Sequence, residues 1–146
     1  MTDTSMTMRT PWHLWVVGVL ALLWNGYAGY DFIMTLTGGA EYLRDYFNPE
    51  QVAYYTSMPS WTIAPWAAGV WGGVLGAVLL LVRSRWAFHA FVLSVLGVAV
   101  SIAYAYMNGW AELGGTSGMM MWAVIALVAL FLAWYARMMT ARGVLR

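Results

Sequence analysis

Residues 61–82 read WTIAPWAAGVWGGVLGAVLLLV, and none of them is charged. An α-helix needs about 20 apolar residues to cross the hydrocarbon core of a bilayer. The stretch is therefore read as a transmembrane helix. Its small residues sharpen that reading. Gly69, Gly73 and Ala77 recur at every fourth position, and Ala68, Gly72 and Gly76 make a second ridge beside them. Small residues at this spacing let helix backbones approach closely. Gly69, Gly72, Gly73 and Gly76 are the expected packing positions, which puts this helix at the centre of a bundle. Pro65 falls in its first turn, where a missing N–H costs little.

Three further segments of the same character lie on either side, at about residues 12–36, 86–107 and 119–139. The expected fold is all-α: one integral membrane domain over residues 1–146, an antiparallel four-helix bundle. The first segment exceeds the roughly 7–15 apolar residues of a signal peptide. It also lacks a small-residue cleavage site, because Trp24, Asn25, Tyr27 and Tyr30 crowd its far end. Gly18, Ala21, Asn25 and Ala28 share one face of it, and Gly97, Ser101 and Ala105 have the same spacing in the third segment.

Composition supports the membrane reading. Charged residues make up 9% of the chain, against about 25% in a soluble domain. Ten tryptophans and nine tyrosines suit membrane interfaces, where a ring stays apolar while its N–H or O–H meets water. The net charge is +1, so no nucleic-acid partner is expected. There is no cysteine, which excludes disulfides, thiolate metal sites and thiol catalysis. Every basic residue is arginine, a usage that points to a GC-rich bacterial genome.

Arginine placement gives an expected orientation. Arg9, Arg83, Arg85, Arg137, Arg142 and Arg146 fall on one side of the four segments and Arg44 alone on the other, a split of six to one. Positive residues stay inside. A bacterial inner-membrane protein with both termini in the cytoplasm follows. Asp31, Glu41, Asp45, Glu50 and Glu112 fall on the outer side, and Asp3 is the one inner acid. The second and third helices are joined by a very short turn at Arg83–Arg85. The first outer loop, residues 37–60, is the longest and is expected to hold short interfacial helices. Asn48-Pro49-Glu50-Gln51 has the form of a helix start, with a cap, a proline in the first turn and a glutamine positioned to bond back. Tyr42, Tyr46, Phe47, Tyr54 and Tyr55 are expected to lay these pieces on the membrane surface. Residues 108–118 are expected to form a second, glycine-rich outer loop.

Few side chains suggest chemistry. Asp31 is the one acid inside an expected helix, and intramembrane carboxylates are costly and often functional. It lies near the outer end, where an interfacial acid bonded to loop backbone or to Arg44 is the plainer reading. Asn25 lies deeper and is expected to bond Ser101 or a backbone carbonyl. Asp31 and Asn25 are the candidate contacts for an ion or solute. His13 and His89 have similar depths near the inner surface, an arrangement that a b-type haem would require, but interfacial histidines are common. No catalytic constellation, metal site or cofactor is expected. Glu41, Asp45 and Glu50 among the loop aromatics could hold a sugar or cation, against an ordinary interfacial belt.

Three stretches carry a resemblance. They are residues 23–31, LWNGYAGYD; Pro49-Glu50-Gln51 with Tyr54-Tyr55 and Pro59-Ser60-Trp61; and residues 70–76, VWGGVLG. Together they resemble a family of small four-helix proteobacterial membrane proteins, some of which carry the automatic label "sugar transporter". The resemblance covers nearly the whole chain and implies no mechanism or site residues. It implies an Arg-Asn pair after Thr37, where this chain has Gly38-Gly39.

The functional expectation is a non-catalytic polytopic protein, an accessory subunit of a membrane complex. Its partners would be the lipid bilayer and a second copy or another membrane protein. A small oligomeric transporter, for sugar or another solute, is the alternative. Four helices are few for alternating access, so it would need at least a dimer. A haem or quinone redox protein is a third reading, resting on His13 and His89 alone.

Overall fold

A computed structural model describes residues 9–146, and Asp3 lies outside them. Five α-helices follow in order: α1 Trp12–Leu43, α2 Pro49–Thr56, α3 Ile63–Leu81, α4 Trp86–Met107 and α5 Trp110–Ala141. A short 3₁₀ turn, Ser60–Thr62, leads into α3. No strand occurs among the described residues. The α1, α3, α4 and α5 helices are long and apolar enough to cross a membrane, and the chain is a multi-pass membrane protein of the all-α, four-helix class.

The helices pack in chain order. α3 lies between α1 and α4, and α4 lies between α3 and α5. The buried stripe of α1 shows why: Leu14, Gly18, Ala21, Asn25, Gly29 and Phe32 keep the three-and-four spacing of a single helix face. The α3 ridges serve two neighbours. A methyl on Gly72 would lie 3.0 Å from the Ser94 backbone nitrogen, and one on Gly76 would lie 2.6 Å from the Phe91 ring, both on α4. A methyl on Gly73 would overlap the Asn25 amide of α1. Gly69 sits against Gly97 and Val98. All four glycines are buried inside the chain's own bundle.

The end bearing six of the arginines is sealed. Leu14, Leu80, Phe91, Leu132, Tyr135 and Met139 form a dense cluster there, joined by Val144 and Leu145 of the tail. Arg146 and the 83–85 turn exchange two backbone hydrogen bonds, Arg85 N–H to Arg146 carbonyl at 3.0 Å and Arg146 N–H to Arg83 carbonyl at 2.9 Å.

The opposite end is capped. Asn48 accepts from the Gln51 N–H at 2.9 Å, and Gln51 Oε1 accepts from the Asn48 N–H at 3.2 Å. This reciprocal box starts α2 as the sequence predicts. Three helices differ from expectation in their bounds. α1 extends beyond residue 36, breaking only at Gly39, whose φ of +55° suits glycine alone. α3 starts at Ile63 and ends at Leu81, slightly inside the expected 61–82. α5 begins at Trp110, and the expected 108–118 loop is mostly helix. Gly115, at φ +60°, kinks it without ending it.

The loop aromatics also depart from the expected surface belt. Phe47, Tyr54 and Tyr55 gather around Trp110, with ring centroids 6.4, 5.3 and 5.0 Å from it. Gln51 Nε2 donates to the Leu113 carbonyl at 2.9 Å and ties α2 to the start of α5. Burying rings against an indole recovers more apolar area than laying them singly on a surface. Tyr46 alone of the five stays largely exposed.

Candidate functional site

Between the sealed end and the cap, the four long helices enclose a cavity of about 330 Å³. Phe91 and Leu132 form its floor, since both also belong to the sealed cluster. The helix order explains the space. α1 and α5 are the outer members of the row and do not pack along each other. They meet near the sealed end, where His13 Nδ1 and the Tyr135 hydroxyl share a short hydrogen bond. Farther out the seam between them is open. Tyr27 of α1 and Met121 of α5 line the cavity, yet are 65% and 57% exposed. The mouth therefore opens sideways, between two helices that face hydrocarbon.

The structure brings Asp31 and Asn25 to this one cavity. Asn25 is buried, and its Nδ2 donates to the Ala21 carbonyl of its own helix at 2.8 Å. Of the two partners expected from sequence, Ser101 or a backbone carbonyl, the carbonyl is the one bonded, and Ser101 also lines the cavity. The amide of Asn25 lies over Gly73, so the lack of a side chain at 73 sets its place. Asp31 is half-buried, and its Oδ1 accepts from the Tyr42 hydroxyl at 2.9 Å. That bond reaches back across the Gly39 break. Tyr42, and not Arg44, is its partner.

Sequence reading did not assign the remaining walls to a site. Trp24, Trp66 and Trp122 line the cavity together with Ser94. Ser94 is buried, and its hydroxyl donates to the Gly69 carbonyl at 2.6 Å, which pins α4 to α3. Trp122 gave no signal of one, because it falls in the first turn of the segment expected at 119–139, where interfacial rings collect; the start of α5 at Trp110 places it well inside the helix.

The two histidines have different surroundings. His13 is engaged by Tyr135, whereas His89 is exposed and lies tilted against Trp86, with centroids 4.8 Å apart. Neither lines the cavity. Among the described residues no three His, Cys, Asp or Glu side chains gather as a metal site. In the cap, burial pushes the Tyr54 and Tyr55 hydroxyls above the ordinary tyrosine range, with the charge of Asp31 adding to the effect at Tyr55. Both stay protonated at neutral pH. The Tyr54 hydroxyl and the Trp110 indole N–H are buried and have no hydrogen-bond partner among the described residues.

No protein-family model, curated protein or solved structure matches the chain.

Proposed function

We propose that this chain is a non-catalytic inner-membrane protein, with both termini in the cytoplasm, that takes a small solute into the cavity between its helices. The cavity is the observation that supports the reading. Its volume, about 330 Å³, falls where small-molecule sites begin, at roughly 300 Å³. It combines apolar walls with a few polar groups, Asp31, Asn25, Ser94 and Ser101, which is the usual make-up of such sites. Transport of the solute would require a homo-oligomer, since four helices are few for alternating access.

A sugar fits poorly. It needs many hydrogen bonds, whereas the Asn25 Nδ2 and Ser94 hydroxyl already serve backbone carbonyls. The accessory-subunit expectation gains nothing from the glycine ridges, which are occupied within the chain. The exposed apolar helix faces suit lipid as well as a protein partner. A haem or quinone role draws no support from the surroundings of His13 and His89.

Native mass spectrometry of protein purified in mild detergent tests the proposal. The expected result is a small molecule released from the wild type and absent from folded Ser101→Trp, whose indole would fill the cavity. An empty wild type, or the same released mass from both proteins, would refute it.

A further inference from the structure

We infer that the cavity takes an amphipathic organic cation, an amine or quaternary ammonium on an apolar body, with Asp31 as its counter-ion. The inference rests on the solute-binding reading and adds the ligand's chemistry.

Charge is the first support. Among the described residues, Asp31 is the one formally charged residue in the cavity wall. Its hydrogen-bond partner Tyr42 is neutral, so that bond steadies the carboxylate without cancelling its charge. A hydroxyl donates one proton, and an ionised carboxylate has about four acceptor positions, so further partners have room. A charge bordering an apolar space is weakly screened and attracts a cation more strongly than one in water.

The wall is the second support. Trp24, Tyr27, Trp66 and Trp122 are four aromatic residues around one space. Their rings carry a quadrupole that attracts cations, most strongly in tryptophan. A cation is attracted by both the rings and the carboxylate, whereas an anion is repelled by Asp31 and a neutral solute can use it only as a hydrogen-bond acceptor.

Access is the third. The mouth lies between α1 and α5, bordered by the exposed Tyr27 and Met121. A solute entering there comes through hydrocarbon and needs an apolar body. Asp31 lies about 28 Å along α1 from Trp12, by helix rise, close to the roughly 30 Å thickness of the core. An ammonium bound there sits near headgroup level with its apolar part pointing down into the cavity. The same chemistry is offered by a free amphipathic amine and by an ethanolamine lipid headgroup.

The test is thermal unfolding of delipidated protein in detergent, titrated with benzyltrimethylammonium, with its neutral isostere neopentylbenzene, and with benzoate. The cation should stabilise saturably, the isostere should bind at least tenfold more weakly, and benzoate should not stabilise. Asp31→Asn should weaken the cation at least tenfold and leave the isostere unchanged. Trp122→Leu should weaken the cation severalfold, and it decides the matter if Asp31→Asn does not fold. Nanodiscs separate the two sources: weaker apparent affinity in phosphatidylethanolamine than in phosphatidylglycerol identifies the headgroup as a competitor, and equal affinity identifies a free amine. Equal binding of cation and isostere, or unchanged cation binding in the variants, overturns this inference and leaves a solute site standing. No saturable stabilisation by any of the three probes overturns the solute site as well.

Discussion

Replacing Gly97 with alanine should loosen the bundle at its tightest seam. A methyl at 97 would fall on the Gly69 backbone nitrogen and the Pro65 carbonyl oxygen, and 3.0 Å from the Ala68 carbonyl carbon. These are backbone atoms, which cannot rotate aside. Comfortable contact needs about 3.5–4.0 Å, so α3 and α4 must part locally by roughly 1 Å. Overpacking of this kind costs about 1–3 kcal/mol. The parting also stretches the 2.6 Å bond from Ser94 to the Gly69 carbonyl, worth about 0.6 kcal/mol in a membrane. Opposing both is the helix preference for alanine over glycine, at most about 1 kcal/mol. The net loss of about 1–3 kcal/mol corresponds to a fall in Tm of roughly 3–10 °C for a chain of this size. Gly26→Ala is the control, because nothing lies within 4 Å of a methyl there. It should melt with the wild type or slightly above it. If Gly97→Ala melts with Gly26→Ala, close approach at this seam is not what holds α3 to α4.

Gly73→Ala should cost about 1–3 kcal/mol by displacing the Asn25 amide, and most of that cost should vanish in an Asn25→Ala background. Additive losses across the double-mutant cycle would mean that the two positions do not share space. Reporter fusions at Glu50 and Glu112 should read periplasmic, and one in the Arg83–Arg85 turn cytoplasmic; the reverse pattern would sink the proposed orientation. Trp110→Ala should free the cap, and limited proteolysis within residues 48–58 should speed up while the four long helices stay protected; unchanged cleavage would show that the ring cluster does not hold the cap. The docked cap keeps the Tyr54 and Tyr55 hydroxyls protonated. Their folded pKa values lie above the unfolded value of about 10, so this stabilisation is complete below that pH and fades above it. Alkaline titration of cap fluorescence should show loosening above about pH 10 that Tyr54→Phe/Tyr55→Phe removes.

Much of the fold was readable because bilayer thickness imposes a length on each uncharged run. α4 falls at 86–107, where the apolar run places it. The start of α5 was not readable, because Gly114-Gly115-Thr116-Ser117-Gly118 has the composition of a loop. The structure uses two of these glycines otherwise: Gly114 and Gly118 leave room for the Trp110 indole. Asn25 was legible as a buried amide, since it shares a face with Gly18 and Ala21. Its partner was legible only as Ser101 or a backbone carbonyl, because an amide in a helix can reach back four residues as readily as across to a neighbour. The cavity was the least legible feature. It exists because α1 and α5 fail to pack along each other, and no local pattern records the absence of a contact between the ends of a chain. The individual walls, Trp24 and Trp66 among them, look the same in sequence whether they line a site or an interface.

The row order of the helices bears on how the protein is made. Each long helix packs against the one inserted just before it: α3 on α1, α4 on α3, α5 on α4. Contacts close in sequence carry a small closure cost and form early. Emerging from the translocation machinery, each helix finds its partner already in the lipid. α3 and α4, joined by a turn of a few residues, can zip together as a hairpin at once. The bundle then behaves as a chain of nearest-neighbour interfaces, in the manner of a repeat array. Losing the last helix during synthesis would cost one interface and expose the cavity, while the α1–α3–α4 stack would keep the contacts it had already made.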